Sequence, residues 1–508
     1  MADRSPNLGG VLREAFDYEF SRMDPTAGAH IDPACCAVYE TALSLDPEGA
    51  VAPMLAESWQ VSDDGLQWRL RIPPKARFHS GSACDATAVV AAFERHRDPV
   101  EGRTGLFHWK PVKAIAPGPD NTVVVDLHHP CIRLPAVLRS WHAAIHNEAT
   151  RVRTGDDYGY GAVDGTGPFQ LAYFGPERVR VDRWAEYPGT GAPWFQNRGA
   201  ALLDAVEWTA ITDPSARTQA LFDGVVDCIQ NPALEDVEKL GADSNLSVLE
   251  FQQRSNLYLA LNFERADLGF DDVRVRRAFS HAMDRNRLVR EAAHGHGVPT
   301  ATIVGSAFEY YEPAVERFNQ FEPKQSTALL ADAGWTPGAD GVQERDGVRL
   351  TFEIIGQDDP IHRRAVGIIV EMLRAIGVEA TARFAVPFAP FVEEVMAHPT
   401  AFVSKWLWPD VFEAVQGFTA SWSRPSPNWQ QASIPELDDA FLAWWSASTE
   451  AELRQAASRA QRIAAQQLPL IPLFTPNTVW AHHNRVHGWR PTEPNLYPFY
   501  NDVWIEPE

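Results

Sequence analysis

The pattern of apolar and polar positions divides the chain into short strands and amphipathic helices. Residues 67–72 alternate apolar and polar side chains, and residues 122–127 form a more continuous apolar run, so a strand is predicted at each. Residues 86–97 carry an apolar stripe at helical spacing directly after Asp85, a residue type that caps helix N-termini. This mixture of strand and helix patterns favours an α/β protein.

Helical patterns become more frequent in the second half of the chain. One helix is predicted to open at Asp271 and to continue through Asp284 as far as Gly295, and another to begin at a capping Ser326. Further helices are predicted over 361–376, 437–447 and 450–467, and strands over 258–263, 378–384 and 469–474. A helix, a glycine and then a strand is typical of a doubly wound α/β lobe.

Length and charge limit the class of protein. A chain of 508 residues is too long for one hydrophobic core, so two or three domains are expected. The chain has no apolar run of about 18 residues, which argues against a transmembrane helix. Its first residues have no apolar signal core, so the protein is either cytosolic or has lost a leader. A net charge of -22 argues against nucleic acid as a partner.

The cysteines do not form a metal or redox motif. Their number is odd and no CxxC occurs, which argues against a zinc knuckle or a thioredoxin-like site. We interpret them as small buried hydrophobic residues, and the alternative is one structural disulfide in an oxidising compartment. The five are Cys35, Cys36, Cys84, Cys131 and Cys228.

Four sequence boxes occur in a fixed order along the chain. They read PMLAESWQVSDDGL at 53–66, RFHSG at 77–81, GTGPF at 165–169 and DDVRVRRAFSHAMDR at 271–285. GTGPF predicts a turn followed by a strand, and no Lys-Ser/Thr pair follows it as a phosphate loop requires. The chain resembles the family-5 extracellular solute-binding proteins, which are the peptide-, nickel- and opine-binding receptors of ABC importers. The resemblance covers about residues 12–489.

This resemblance implies a two-lobed, periplasmic-binding-protein-like α/β fold of type II (cluster C). Lobe I would comprise residues 1–262, with an extra subdomain at about 38–170 and a returning segment at 476–508. Lobe II would comprise residues 263–475, with hinge crossings near Asn262 and Phe474. A ligand that touches both lobes favours the closed state by its differential contact energy.

The resemblance also points to a ligand-binding segment at 404–412. In the family a Trp precedes an Asp ahead of a helix, and in peptide-binding members that Asp pairs with the amino terminus of the ligand. The matching acid here is Asp410, and Trp406 and Trp408 would form the pocket wall. Pro409 and Lys405 depart from the peptide-receptor pattern. The alternative is two core tryptophans and a helix-capping Asp.

Three further candidates lie in the first lobe. Trp109 corresponds to an aromatic residue that contacts cargo in some metal-chelate-binding relatives, and core packing is its alternative. Arg133 and Arg139 flank a short apolar segment, where either could pair bidentately with a ligand carboxylate. A solvated surface arginine is the alternative for both.

Two more pairs complete the candidate ligand-binding residues. Asp17 and Tyr18 follow the first predicted strand, and the ends of such strands open onto ligand crevices in α/β sheets. Asn428 and Trp429 lie in a Pro/Ser-rich loop that is suitably placed in the sequence to cover a cleft.

Motifs for metals, cofactors and catalysis are absent from the sequence. Its sixteen histidines include neither HExxH nor a Cys/His pattern, so no metal site and no cofactor are expected. A metal already wrapped by a small chelator stays open as cargo. No nucleophile motif occurs, so we expect no enzyme. The alternatives are a glycosidase-like or other hydrolase on a recruited scaffold, and a ligand-sensing signalling receptor.

The expected function is therefore capture of a small polar solute (a peptide, an opine or a metal chelate) between two lobes for import. The expected partners are this ligand and the permease subunits of an ABC transporter in the membrane, with the protein itself a monomer. The resemblance places it in the periplasm or outside the cell, secreted or lipid-anchored. The tryptophans at 404–429 favour one compact ligand over long, varied peptides.

Overall fold

The computed structural model describes residues 6–27, 33–101, 109–189, 192–385, 388–397, 400–405, 411–491 and 499–507. The chain forms two compact units: unit 1 is residues 1–250 with 479–508, and unit 2 is residues 251–478. The sequence placed the first crossing later, near Asn262. The division comes earlier because the strand Leu257–Leu261 pairs with Ala401–Lys405 inside unit 2.

Unit 1 is built on a mixed sheet with Val11–Phe16 near its middle. This strand runs parallel to its neighbours on both sides, and Leu12, Ala15 and Phe16 are fully buried. The strand order is Phe169–Gly175, Arg178–Arg183, Ala205–Ala210, Val11–Phe16, Cys228–Gln230 and residues 480–482 of Ile471–His483. Leu221 of the helix Pro214–Phe222 contributes to the core that covers this sheet.

A four-stranded antiparallel sheet forms a subdomain within unit 1. Its order is Ser58–Val61, Gln67–Arg71, Thr122–Leu127 and Val112–Gly118. The two strands that the sequence predicted here are confirmed. The helix Ala86–Arg97 is also confirmed, and its N-cap Asp85 accepts a hydrogen bond from the backbone N–H of Ala88.

Shorter elements complete unit 1. They are the helices Pro33–Val38, Leu134–Leu138, Glu148–Thr154 and Val237–Ala242, and the strands Leu43–Leu45, Val51–Pro53, Val486–His487 and Trp504–Ile505. All five cysteines of the chain fall within the described residues, and each is a buried thiol outside any disulfide. This is the interpretation that the sequence favoured.

Unit 2 has its own mixed sheet. Its order is Glu379–Ala385, Thr351–Gln357, Ala401–Lys405, Leu257–Leu261 and the first residues of Ile471–His483. The first three strands are parallel and the last two pairings are antiparallel. The smaller strands are Leu246–Gln252 at the division between the units, then Gly297–Pro299, Thr336–Pro337, Gln343–Arg345 and Val348–Arg349.

Eight α-helices are described in unit 2. They are Val273–Ala282, Arg285–Ala292, Pro323–Asp332, Pro360–Arg374, Phe388–Ala397, Val411–Thr419, Pro435–Trp445 and Glu450–Gln467. The predictions at 361–376, 437–447 and 450–467 are confirmed to within two residues at each end. Among the described residues of the whole chain, no helix has the length and apolar character needed to cross a membrane.

Two helices in unit 2 are present as predicted, but their predicted boundaries are wrong. The helix expected to continue through Asp284 ends at Ala282, because Met283 is extended and Asp284 caps a second helix by accepting from the N–H of Arg287. Ser326 does not cap a helix either. It lies inside Pro323–Asp332, and its hydroxyl donates to the carbonyl of Ala278 in the neighbouring helix.

The arginines of the DVRVRRAFSHAMDR box have a structural role. Arg276 is buried and donates to the carbonyl oxygens of Gln467 and Leu468, where the long helix ends and the chain turns into a strand. Arg285 is buried and donates to the carbonyl of Pro472 in that strand. Burial lowers the pKa of both guanidinium groups to about 10, so both stay charged at neutral pH. The box therefore fixes the segment that joins the last helix of unit 2 to the strand Ile471–His483.

Candidate functional site

The three residues that the resemblance singled out most strongly lie outside the described part of the chain. These are Trp406, Trp408 and Asp410; the description stops at Lys405 and resumes at Val411. Their role as pocket wall and ammonium partner stays a prediction.

The parallel strands of unit 1 bring Asp17 and Asn231 together just beyond their carboxyl ends. The side-chain amide of Asn231 donates to Asp17 Oδ2 at 2.9 Å. Asn231 has a φ of 49°, a left-handed conformation that Asn tolerates better than most residues, and its backbone N–H donates to the carbonyl of Val479. The Asp17 carboxylate is thus fixed at the sheet edge where α/β proteins place their ligands.

Arg217 supports this edge from behind and was missed by the sequence analysis. Its guanidinium is buried and donates to the carbonyl oxygens of Gln230, at 2.8 Å, and of Ile211 and Asn231. Burial lowers its pKa, an effect that the charge of Asp17 opposes. Because its donors bind backbone carbonyls, Arg217 positions the strand ends. An arginine in a helical pattern gives no signal of this role in a sequence.

Aromatic rings lie beside Asp17. Tyr18 is half-buried, and its ring centroid lies 5.9 Å from that of Phe16 and 6.3 Å from that of Phe20, edge-on in both cases. Phe16 also contacts Trp480 at 5.9 Å. The indole N–H of Trp480 is buried and has no hydrogen-bond partner among the described residues. Trp480 was not predicted, because it lies in a long apolar strand.

The parallel strands of unit 2 end in a second set of polar groups, which the sequence analysis also missed. Lys405 is the last residue of one strand, and Asp359 follows the end of its neighbour by two residues. Asp359 Oδ2 pairs with Nδ1 of the buried His362. Burial acts to raise the pKa of Asp359, but the charge and hydrogen bond of His362 and the charge of Lys405 lower it below its ordinary value. The edge therefore carries an ionised acid beside an ammonium group.

The first-lobe candidates have different surroundings. Trp109 is 2% exposed, its indole N–H donates to the carbonyl of His142, and its ring contacts Phe93 in the subdomain core. This is the packing alternative that the sequence left open. Arg133 is buried at the start of a short helix, and Arg139 is half-buried at its end.

Asn428 and Trp429 hold the Pro/Ser-rich loop of unit 2. The Asn428 amide donates to the carbonyls of Ala420 and Ala432 and accepts from the N–H of Ala432, each at 2.9 Å. Trp429 is 6% exposed and packs against Phe418. These contacts favour a loop-stabilising role for both residues over ligand contact.

The GTGPF turn is confirmed as a structural element. The His79 ring bonds to the carbonyl of Gly167 through Nε2 and accepts from the N–H of Gly165 through Nδ1. Burial lowers the pKa of His79 to about 4, which keeps the ring neutral and able to accept. A Cβ on Gly165 would lie 2.0 Å from the carbonyl oxygen of Val38, so only glycine fits.

No group of three or more His, Cys, Asp or Glu side chains within the described ranges is arranged to hold a metal ion. The polar groups at both sheet edges are carboxylates, amides, an imidazole and an ammonium group. This set suits hydrogen bonding and ion pairing with a solute.

Comparison with known proteins agrees with this picture. Residues 50–429 match the model of the bacterial extracellular solute-binding proteins, family 5. The glutathione-binding protein GsiB of Escherichia coli O1:K1 is 24% identical over 487 residues, which cover 94% of this chain and 91% of that protein.

Two solved structures have the same fold. The oligopeptide-binding protein AppA of Bacillus subtilis, in complex with a nonapeptide, aligns with a TM-score of 0.84 at 21% identity over 99% of this chain and 100% of its own. NikZ of Campylobacter jejuni, in complex with Ni(L-His), aligns with a TM-score of 0.82 at 19% identity over 94% of this chain and 95% of its own.

Proposed function

We propose that this chain, which belongs to the family-5 bacterial extracellular solute-binding proteins, captures a compact zwitterionic solute derived from amino acids. Membership makes it the substrate-binding component of an ABC importer, with a small ligand and a permease as its partners. The family and the relatives are binding proteins rather than enzymes. Neither the hydrolase nor the signalling alternative has support.

The observation that carries the proposal is the charge at the two sheet edges. Unit 1 ends its parallel strands at Asp17, an acid held by Asn231. Unit 2 ends one of its parallel strands at Lys405, a base that lies beside the ionised Asp359. Taken separately, Asp17 suits an ammonium group of a solute and Lys405 suits a carboxylate, and a zwitterion carries both; hydrogen bonds between charged partners are the strong ones. Glutathione, which the relative GsiB is named for binding, is a solute of this class.

The remaining parts of the proposal concern context. The protein acts outside the cytoplasm, as its relatives do, and we place it there as a monomer, secreted or lipid-anchored, without a nucleic-acid partner. The net charge of -22 supports the last point. Asp410, Trp406 and Trp408 stay in the proposal as ligand contacts on the strength of the resemblance.

The first test is native mass spectrometry of the purified protein, followed by denaturation and identification of any released solute. Calorimetry then compares reduced glutathione, a nonapeptide, and Ni(II) with L-histidine. We expect binding of glutathione or of a released zwitterion of similar size. Retention of a neutral sugar, or tight binding of the nonapeptide alone, would overturn the proposed cargo class.

Two charge-removing variants test the role of the sheet edges. Asp17→Asn and Lys405→Met should each weaken binding by about 10- to 100-fold, since each removes a charge-assisted hydrogen bond. The matched controls are Asp182→Asn and Lys324→Met, which remove exposed charges elsewhere in the same units. Equal affinity in all four variants would remove both sheet edges from the binding site.

A further inference from the structure

Three buried polar groups without partners lie close together in sequence at the start of unit 2. They are the amide nitrogen of Gln252, the amide oxygen of Gln253 and the hydroxyl of Ser255, and none has a hydrogen-bond partner among the described residues. Gln253 is 4% exposed and Ser255 is 3% exposed. Buried polar groups in folded proteins are nearly always paired, so three exceptions in four residues indicate that this segment takes hydrogen-bond partners from outside the described chain.

Gly305 lies beside this segment, and two more side-chain polar atoms lie close to it. A Cβ placed on Gly305 would lie 2.7 Å from Thr475 Oγ1, 3.2 Å from Gln252 Nε2 and 3.5 Å from Asn256 Oδ1. Polar atoms from two segments of the chain, 252–256 and Thr475, therefore lie close to a residue that has no side chain.

These polar atoms are held in fixed orientations. The Thr475 hydroxyl donates to Asn256 Oδ1 at 2.6 Å, and Asn256 Nδ2 donates to the carbonyl of Thr302. The Ser306 hydroxyl donates to Gln252 Oε1 at 3.1 Å. With its oxygen engaged in this way, the Gln252 amide directs its nitrogen towards Gly305. Gln252 and Asn256 are therefore preorganised rather than loose.

The chemistry of the three unpartnered groups determines which partner would fit them. Gln252 supplies a donor, Gln253 supplies an acceptor, and the Ser255 hydroxyl is both. None of these side chains is ionisable, so a charged partner would be desolvated here without a counter-charge. The partner that fits carries an uncharged donor and acceptor together, which describes an amide or a hydroxyl group.

We propose that Gln252, Gln253, Ser255 and the backbone at Gly305 form a recognition surface for the uncharged amide or hydroxyl groups of the solute. This surface is additional to the charged groups at the sheet edges. The inference rests on the proposed function, since it assigns further contacts to the same cargo. Ordered water has the same hydrogen-bonding chemistry, and the experiment below separates the two.

The first arm uses the full-length protein without added solute and compares Ser255→Ala with Ser326→Ala. Both changes remove a buried hydroxyl from unit 2, but the Ser326 hydroxyl donates to the carbonyl of Ala278. Ser326→Ala should lower the midpoint of thermal unfolding by about 2–4 °C, whereas Ser255→Ala should leave it unchanged or raise it. A loss in Ser255→Ala equal to that in Ser326→Ala would show a hydroxyl already paired, as by bound water, and would overturn the inference.

The second arm measures the affinity of reduced glutathione by calorimetry. Ser255→Ala and Gly305→Ala, which places a methyl group against Gln252 Nε2, should each weaken binding about tenfold, and Ser326→Ala should not. Wild-type binding that Ser255→Ala leaves unchanged would overturn the recognition surface while leaving the proposed function in place. Absence of wild-type binding would count against the proposed cargo class, and the thermal arm would still decide whether Ser255 is paired.

Discussion

Glu14 is a buried acid whose protonation should make the stability of unit 1 depend on pH. It lies in the central strand, is 1% exposed, and accepts hydrogen bonds from the indole N–H groups of Trp489 and Trp208 and from the Tyr500 hydroxyl. Burial raises its pKa from 4.5 to about 8 even though these three donors act to lower it. The charge of Asp227 adds to the rise.

The sign of the effect follows from proton binding in the two states. Between about pH 4.5 and pH 8 the folded protein holds a proton on Glu14 that the unfolded chain has released. Stability therefore falls as pH rises through this range. A tenfold difference in proton affinity between the folded and unfolded states is equivalent to about 1.4 kcal/mol, so the loss reaches about 3 kcal/mol at pH 7 and about 4 kcal/mol at pH 8.

The perturbation is Glu14→Gln, which keeps the size of the side chain and cannot ionise. Between pH 5 and pH 8 the free energy of unfolding of the wild type should fall by about 3–4 kcal/mol relative to that of the variant. Unfolding is measured in urea at closely spaced pH values across this range. Hydrogen-exchange mass spectrometry on peptides from unit 1 separates its transition from that of unit 2.

Only the difference between the two pH profiles matters, because other groups titrate equally in both proteins. Glu207→Gln is the matched control, since this glutamate lies in the adjacent strand but is only half-buried, beside Arg180. Its profile should follow that of the wild type. Parallel profiles for wild type and Glu14→Gln would refute the reasoning, because they would show that Glu14 is ionised in the folded protein at pH 5.

Three further substitutions test structural roles by thermal or urea unfolding. Asp24→Asn removes the acid that accepts two hydrogen bonds, at 2.7 and 2.8 Å, from the buried Arg95, and should cost about 3–5 kcal/mol. Gly165→Ala places a methyl group 2.0 Å from a backbone carbonyl oxygen and should lower the free energy of unfolding by about 3 kcal/mol. Its control is Gly241→Ala, where nothing lies within 4 Å of the added methyl group and little stability should be lost. Equal effects of the two substitutions would contradict the turn geometry. Arg276→Met should cost about 2–3 kcal/mol and speed hydrogen exchange in the last turn of the helix whose carbonyls it binds, and unchanged exchange there would reject its capping role.

Local signals in the sequence were sufficient where the structure uses local interactions. Asp85 caps its helix through a backbone N–H three residues away, and the predicted helix 450–467 begins with a capping box within four residues. The predicted continuous helix is interrupted at Met283, because the break positions Arg285 to bind a residue that is distant in sequence. Arg285 must reach the carbonyl of Pro472, nearly two hundred residues along the chain, and no local pattern encodes that contact.

The candidate site shows the same division. Asp17 was predicted because it follows a strand, and that position is visible in a sequence. Its partner Asn231 and the supporting Arg217 lie two hundred or more residues away, and only the sheet brings them together. The same holds for Asp359 and Lys405, which lie at the ends of neighbouring parallel strands but are separated in sequence by two helices and a strand.

The five buried thiols have a practical consequence for labelling. Burial raises the pKa of Cys84 and Cys228 well above the ordinary value, which suppresses the thiolate that reacts with maleimides. A cysteine introduced at an exposed position such as Lys324 would then take a fluorophore while the native five stay unmodified. Dyes for distance measurements can thus be attached to this protein without first replacing its own cysteines.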